Sequence, residues 1–162
     1  MKLFIKSIVV IFFTVLFIFL PKHYSDYINI SSAPDKKVTQ MKKLNDCNIY
    51  TDGCTFLDEE RQIKIKFTGE VRTMKLFSIS TNFEKFNSTI DNVSVTFKMK
   101  SMDMGLNKFS LSRQDIPNEI SELWLGDILL PICVSKRSDW EMRLKIETKK
   151  NIYLVDDSIV IH

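Results

Sequence analysis

The segment Val93-Ser94-Val95-Thr96-Phe97-Lys98-Met99-Lys100 alternates apolar and polar residues without a break. A β-strand sends successive side chains to opposite faces, so Val93, Val95, Phe97 and Met99 share one face and Ser94, Thr96 and Lys98 the other. A helix, with 3.6 residues per turn, would scatter the same residues around its axis. The period of two recurs in Gln62–Phe67, in part in Met74–Ser80, and again in Lys108–Ser112. Leu123–Leu130, Trp140–Ile146, Ile152–Val155 and Ile159–Ile161 are further short apolar runs rich in β-branched and aromatic residues. Break residues separate them: Gly105 within Asp103–Asn107, Pro117-Asn118, and Ser135–Asp139. This spacing predicts an all-β fold, an immunoglobulin-like antiparallel β-sandwich of about seven strands. A small β-barrel has the same local pattern and is the alternative. Seven of the 12 phenylalanines fall in residues 46–162, and they suit an inner face packed with aromatic rings.

The N-terminus obeys different physics. Leu3–Leu20 (LFIKSIVVIFFTVLFIFL) is apolar except for Lys6, Ser7 and Thr14. As a helix it would span roughly 27 Å, close to the ~30 Å of a bilayer's hydrocarbon core. Lys6 lies near the end and can extend its ammonium to the headgroups. The run is therefore expected to be a transmembrane helix acting as a signal-anchor over residues 1–22. A cleaved signal peptide is the competing reading. Pro21-Lys22-His23 offers no small-residue cleavage pair, and Ser31-Ser32-Ala33 lies far downstream and precedes Pro34. Residues 23–45 lack sustained periodicity and read as a tether, with a short helix conceivable near Lys37–Leu44. Residues 46–162 then form the exported domain. The expected location is a single-pass inner (cytoplasmic) membrane protein with its domain in the periplasm.

Charge narrows the function classes. Removing Lys2 and Lys6 from 23 Lys+Arg leaves 21, against 20 Asp+Glu, so the exported part is nearly neutral. A nucleic-acid partner requires a basic face, and none is expected. Nothing in the sequence points to a small-molecule substrate. Three cysteines, Cys47, Cys54 and Cys133, allow three single pairings in an oxidising compartment, and the spacing does not choose among them.

Catalytic chemistry finds little equipment. His23 adjoins the apolar run and His162 ends the sequence, so neither suits a nucleophile–histidine pair or a histidine-based zinc site. No glycine-rich phosphate loop and no CxxC pair is present. The acidic runs Asp58-Glu59-Glu60 and Asp156-Asp157 read as solvated loop charge. The expectation is a protein that is not an enzyme and carries no cofactor. One cluster has chemistry of its own: Met99, Met102 and Met104 fall in MKSMDMG, and thioether sulfur is a soft ligand suited to Cu(I). Met99 continues the inward face of its strand and reads as core. Met102 and Met104, with Cys133, are the candidate metal ligands, and copper is the candidate ion.

The order of a single N-terminal anchor, MDMGLNKFSL, LWLGDILLP, Cys133 and Asp139-Trp140 resembles the FixH/YtkA-like family of exported immunoglobulin-like domains, over about Asp46 to Thr148. It also resembles envelope proteins that share an LP-x-C-V-S-x-R-x-DW stretch. The resemblance implies a non-enzymatic envelope protein that acts by protein–protein contact, in the assembly of a respiratory or metal-dependent membrane complex. It also implies Met102, Met104 and Cys133 as ligand or contact positions for a copper-binding accessory role. Ligand sets of copper carriers include histidine, and this sequence has none near the cluster. A third expectation, from another class, is a secreted effector released by signal cleavage.

Overall fold

The computed structural model describes residues 36–100, 102–115, 121–132 and 138–161, with the backbone alone for 102–106. The expected signal-anchor, residues 1–22, and the tether up to residue 35 lie outside the described residues. Among the described residues no helix is long and apolar enough to cross a membrane.

The chain from Lys37 onward is all-β. Its strands are β1 (Lys37–Gln40), β2 (Lys42–Lys43), β3 (Cys54–Asp58), β4 (Arg61–Thr68), β5 (Leu76–Glu84) and β6 (Ile90–Met99). They continue as β7 (Met102–Ser110), β8 (Ser112–Gln114), β9 (Glu122–Leu129), β10 (Asp139–Thr148) and β11 (Asn151–Val160). A five-stranded sheet has the order β1-β11-β10-β6-β7 and a six-stranded sheet the order β2-β3-β4-β5-β9-β8. Neighbours are antiparallel except β1, which runs parallel to β11 with Lys37 opposite Asn151 and Gln40 opposite Leu154.

The period of two explains what fills the space between the sheets. Val93, Val95, Phe97 and Met99 of β6 are buried together with Trp140, Met142, Leu144 and Ile146 of β10. The six-stranded sheet contributes Ile63, Ile65 and Phe67 from β4, and Phe77, Ile79 and Phe83 from β5. Phe97 joins the two layers: its ring lies 6.4 Å from Phe67 and 6.5 Å from Phe77 in the opposite sheet. Tilted and edge-on rings at such separations are favourable beyond the area they bury.

Three expectations need correction. Eleven strands replace about seven, because β1, β2 and β8 have only two to four residues and the five-residue β3 is too short for its alternation to stand out. The expected tether residues Lys37–Lys43 are sheet, not linker or helix: β1 adds to one sheet, β2 to the other, and Met41 between them is 3% exposed. Asp156-Asp157 is not loop charge but lies within β11, which runs unbroken through what the sequence divides into two segments. There Asp156 pairs with Arg143, and Asp157 pairs with Lys43 of β2 at 2.8 Å.

Both edges of the stack are made by chain that changes sheets. On one side β1 passes through Met41 into β2. On the other β7 passes through Leu111, also buried, into β8. Strands that switch sheets form the corners of packed β-layers. Gly126 makes the second corner possible, since a Cβ there would meet the Leu111 Cγ at 3.0 Å.

The cysteine pairing is Cys47–Cys54, with Cα atoms 5.3 Å apart. It closes a turn in which the Asn48 carbonyl accepts from the N–H groups of Thr51, Asp52 and Gly53. Gly53 has φ +81°, and a Cβ there would sit 2.9 Å from the Ile65 carbonyl oxygen, so the turn requires glycine. The loop is fastened to both sheets. Its Ile49 carbonyl accepts from Phe67 N–H, while the Tyr50 hydroxyl donates to the Val160 carbonyl at 2.7 Å and accepts from Val160 N–H at 3.1 Å.

Candidate functional site

The outer face of the five-stranded sheet carries a groove of about 810 Å³. Its floor comes from β6, where the alternation that buries Val93, Val95 and Phe97 turns Ser94, Thr96 and Lys98 outward. Register then supplies the walls. Ser94 lies opposite Lys145 of β10 and Ser110 of β7. Thr96 lies opposite Arg143 and Lys108, and Arg143 in turn opposite Asp156 of β11. Lys98 faces Glu141, which faces Ser158. Short side chains at the centre, with long charged ones on the flanking strands, make the concavity.

The charges are partly self-neutralised. Arg143 grips Asp156 with two hydrogen bonds, Nε to Oδ1 at 2.7 Å and Nη2 to Oδ2 at 3.0 Å. This pairing raises the arginine pKa further above its already high ordinary value. Gln40 of β1 also donates to Asp156, at 3.4 Å. Lys145 pairs with Glu147 at 2.6 Å. Asp157 contributes to the lining, but its carboxylate is held by Lys43. Among the described residues Lys98 and Lys108 have no carboxylate partner, and Glu141 is the acid nearest Lys98 in register.

Ser94 is the unusual member of this surface. It is 1% exposed, and its Oγ has no hydrogen-bond partner among the described residues. The buried threonines and Tyr153 are satisfied: Thr81 donates to the Trp124 carbonyl at 3.4 Å, Thr148 to the Asn151 carbonyl at 3.1 Å, and the Tyr153 hydroxyl accepts from Asn151 Nδ2 at 3.2 Å. Asn82, Asn107 and Trp140 also have an unpartnered buried polar atom, but of the four residues only Ser94 lines the groove. A buried hydroxyl without a partner is costly, which sets Ser94 apart from the other residues that line the groove.

The residues singled out by soft-metal chemistry are only partly described. Met99 is core, as its place in the alternation requires. Met102 opens β7 opposite Met99, and Met104 follows in the same strand; their side chains lie outside the described residues. Cys133 also lies outside them. Among the described residues no three His, Cys, Asp or Glu side chains converge as a metal site. Of the groove, sequence reasoning reached only the outward placement of Ser94, Thr96 and Lys98. Lys108, Arg143 and Lys145 come to them through strand register, for which a single sequence carries no signal.

Comparison of the chain with family models, with curated proteins and with solved structures finds no match. The fold and the groove themselves therefore carry the functional argument.

Proposed function

We propose that this chain is a non-enzymatic envelope protein, held at the membrane by Leu3–Leu20, whose β-domain acts by protein–protein contact through the outer face of the five-stranded sheet. The observation that carries this reading is the groove: an open, charge-lined concavity with an unpartnered hydroxyl on its floor. Small-molecule sites are mostly apolar pockets with a few polar groups. A surface of paired and unpaired charges around short hydroxyl side chains is better matched to a polar polypeptide. An immunoglobulin-like arrangement of the strands is part of the proposal. The two stacked sheets favour it, whereas the β3-β4-β5 meander and a disulfide confined to one loop depart from the usual pattern.

Photo-crosslinking in native membranes tests this function. A photoreactive residue at Lys98 should capture a defined envelope protein, and one at Lys64, on the outer face of the other sheet, should not. Equal capture, or none, would overturn the reading.

A copper-binding accessory role for Met102, Met104 and Cys133 is the second reading. What favours it is that the Met99–Met102 hairpin is tied to the start of β10, where Lys100 N–H donates to the Asp139 carbonyl at 3.2 Å. That strand start closely follows Cys133 in the chain. Titration of Cu(I) against a competing chelator decides it: unchanged affinity in the Met102→Leu, Met104→Leu, Cys133→Ser variant would sink the role. N-terminal sequencing of the mature protein separates both readings from a secreted effector.

A further inference from the structure

We infer that the groove binds an extended polypeptide segment of mixed charge, with one carboxylate of that segment seated over Ser94. This rests on the protein-contact reading and names the chemistry of its partner. Ser94 is 1% exposed and its hydroxyl, unpartnered among the described residues, has a proton to donate. Around it are cations. Lys145 is directly opposite on β10, and Lys108 is one outward position along β7. Side chains in such neighbouring positions are ~5–8 Å apart at their bases, within the reach of a lysine stem. A carboxylate at this point accepts from Ser94 Oγ, lies beside the Lys108 ammonium, unpaired among the described residues, and shares Lys145 with Glu147, and charge-assisted hydrogen bonds of this kind are the stronger ones.

The rest of the lining restricts what carries that carboxylate. The groove has four cations, Lys98, Lys108, Arg143 and Lys145, and three acids, Glu141, Asp156 and Asp157. Such a lining accommodates a single negative charge, while a polyanion such as nucleic acid or oligoglutamate meets the acids as well as the lysines. Glu141, the acid without an ion pair among the described residues, offers a complementary place for a basic side chain of the same segment. An acidic sugar is a poorer fit, because sugar rings are held by stacking on aromatic faces and among the described residues no aromatic side chain lines the groove.

The test uses the full chain in detergent and two fluorescent nonapeptides. One has the sequence Gly-Ser-Lys-Ser-Glu-Ser-Lys-Ser-Gly, and its twin has Gln in place of Glu. Fluorescence polarisation should show the Glu peptide binding about tenfold more tightly. The preference should vanish in Ser94→Ala and in Lys108→Gln, with thermal unfolding no lower than that of the parent, and should persist in Lys64→Gln. Equal binding of the twins, no binding of either, a preference that survives Ser94→Ala, or stronger competition by inorganic phosphate, oligoglutamate or a uronic-acid oligosaccharide would each overturn the inference. Failure here with selective crosslinking at Lys98 intact removes only the carboxylate. Loss of that crosslinking removes the contact reading itself.

Discussion

On the outer face of the six-stranded sheet, Ser78 donates to Asp127 at 2.6 Å and Ser80 to the Lys66 carbonyl at 3.2 Å. On the outer face of the five-stranded sheet, Ser94 is buried and donates to no described residue. The two faces arise from the same alternation and differ in how their hydroxyls are spent. The six-stranded face closes the hydrogen bonds of both serines, although Asn82 Oδ1 beside them has no partner among the described residues, and it leaves Leu76 and Leu129 exposed opposite each other. The five-stranded face keeps a donor and two lysines uncommitted. Strand geometry thus decides which residues face outward, and register decides whether they satisfy one another.

The largest effect should fall between the faces, on the ring both sheets share. Phe97→Ala should cost about 3–5 kcal/mol, the usual loss for a buried phenylalanine. Chemical denaturation followed by far- and near-UV circular dichroism should show one transition at a lower midpoint. Two separate transitions would mean that the sheets fold as independent layers and that their faces cannot be compared within one cooperative unit.

Next in size is the disulfide. Cys47→Ser with Cys54→Ser should cost roughly 2–3 kcal/mol, from the loop it closes in the unfolded chain. Hydrogen exchange should then report faster opening at Phe67 and Val160, the two backbone sites to which the loop is fastened. Uniform loosening of both sheets would contradict the picture of a local fastening.

The hydroxyls give the most direct contrast. Ser94→Ala removes a donor that is unsatisfied in the free protein and should raise stability by ~1 kcal/mol, whereas Ser80→Ala breaks a made bond and should lower it by up to ~1 kcal/mol. Urea midpoints measured side by side give the two signs. A destabilised Ser94→Ala protein would show that its hydroxyl is satisfied, and the difference between the faces would disappear.

The smallest effect belongs to the exposed pair on the groove wall. Asp156→Asn should cost less than ~1 kcal/mol at low salt and less still in high salt, because water screens an ion pair at this exposure. A large loss insensitive to salt would mean that the pair is a structural strut rather than a solvated surface pair.

The sequence made the long strands legible and left their partners obscure. VSVTFKMK showed which side of β6 is core, and the structure buries Val93, Val95, Phe97 and Met99 accordingly. Nothing in KVTQMKK announced β1 and β2, since two- to four-residue strands hold at most one full alternation and depend on the sheet they join. The Cys47–Cys54 pairing stayed open because three cysteines give three choices. It follows once β3 begins at Cys54 after a turn built on Asn48 and Gly53. The groove needs residues from β6, β7, β10 and β11 in one register, and a single sequence offers no co-variation from which to read it.

The parallel pairing of β1 with β11 also sets an order of events. Lys37 lies opposite Asn151, at the far end of the domain's sequence. Synthesis proceeds at roughly 5–20 residues per second, so β1 waits on the order of ten seconds for its partner to be made. Until then the five-stranded sheet has no completed edge and the groove lacks Asp156, the residue that holds Arg143 in place. A nascent chain, or one truncated before Asp156, therefore cannot complete the groove.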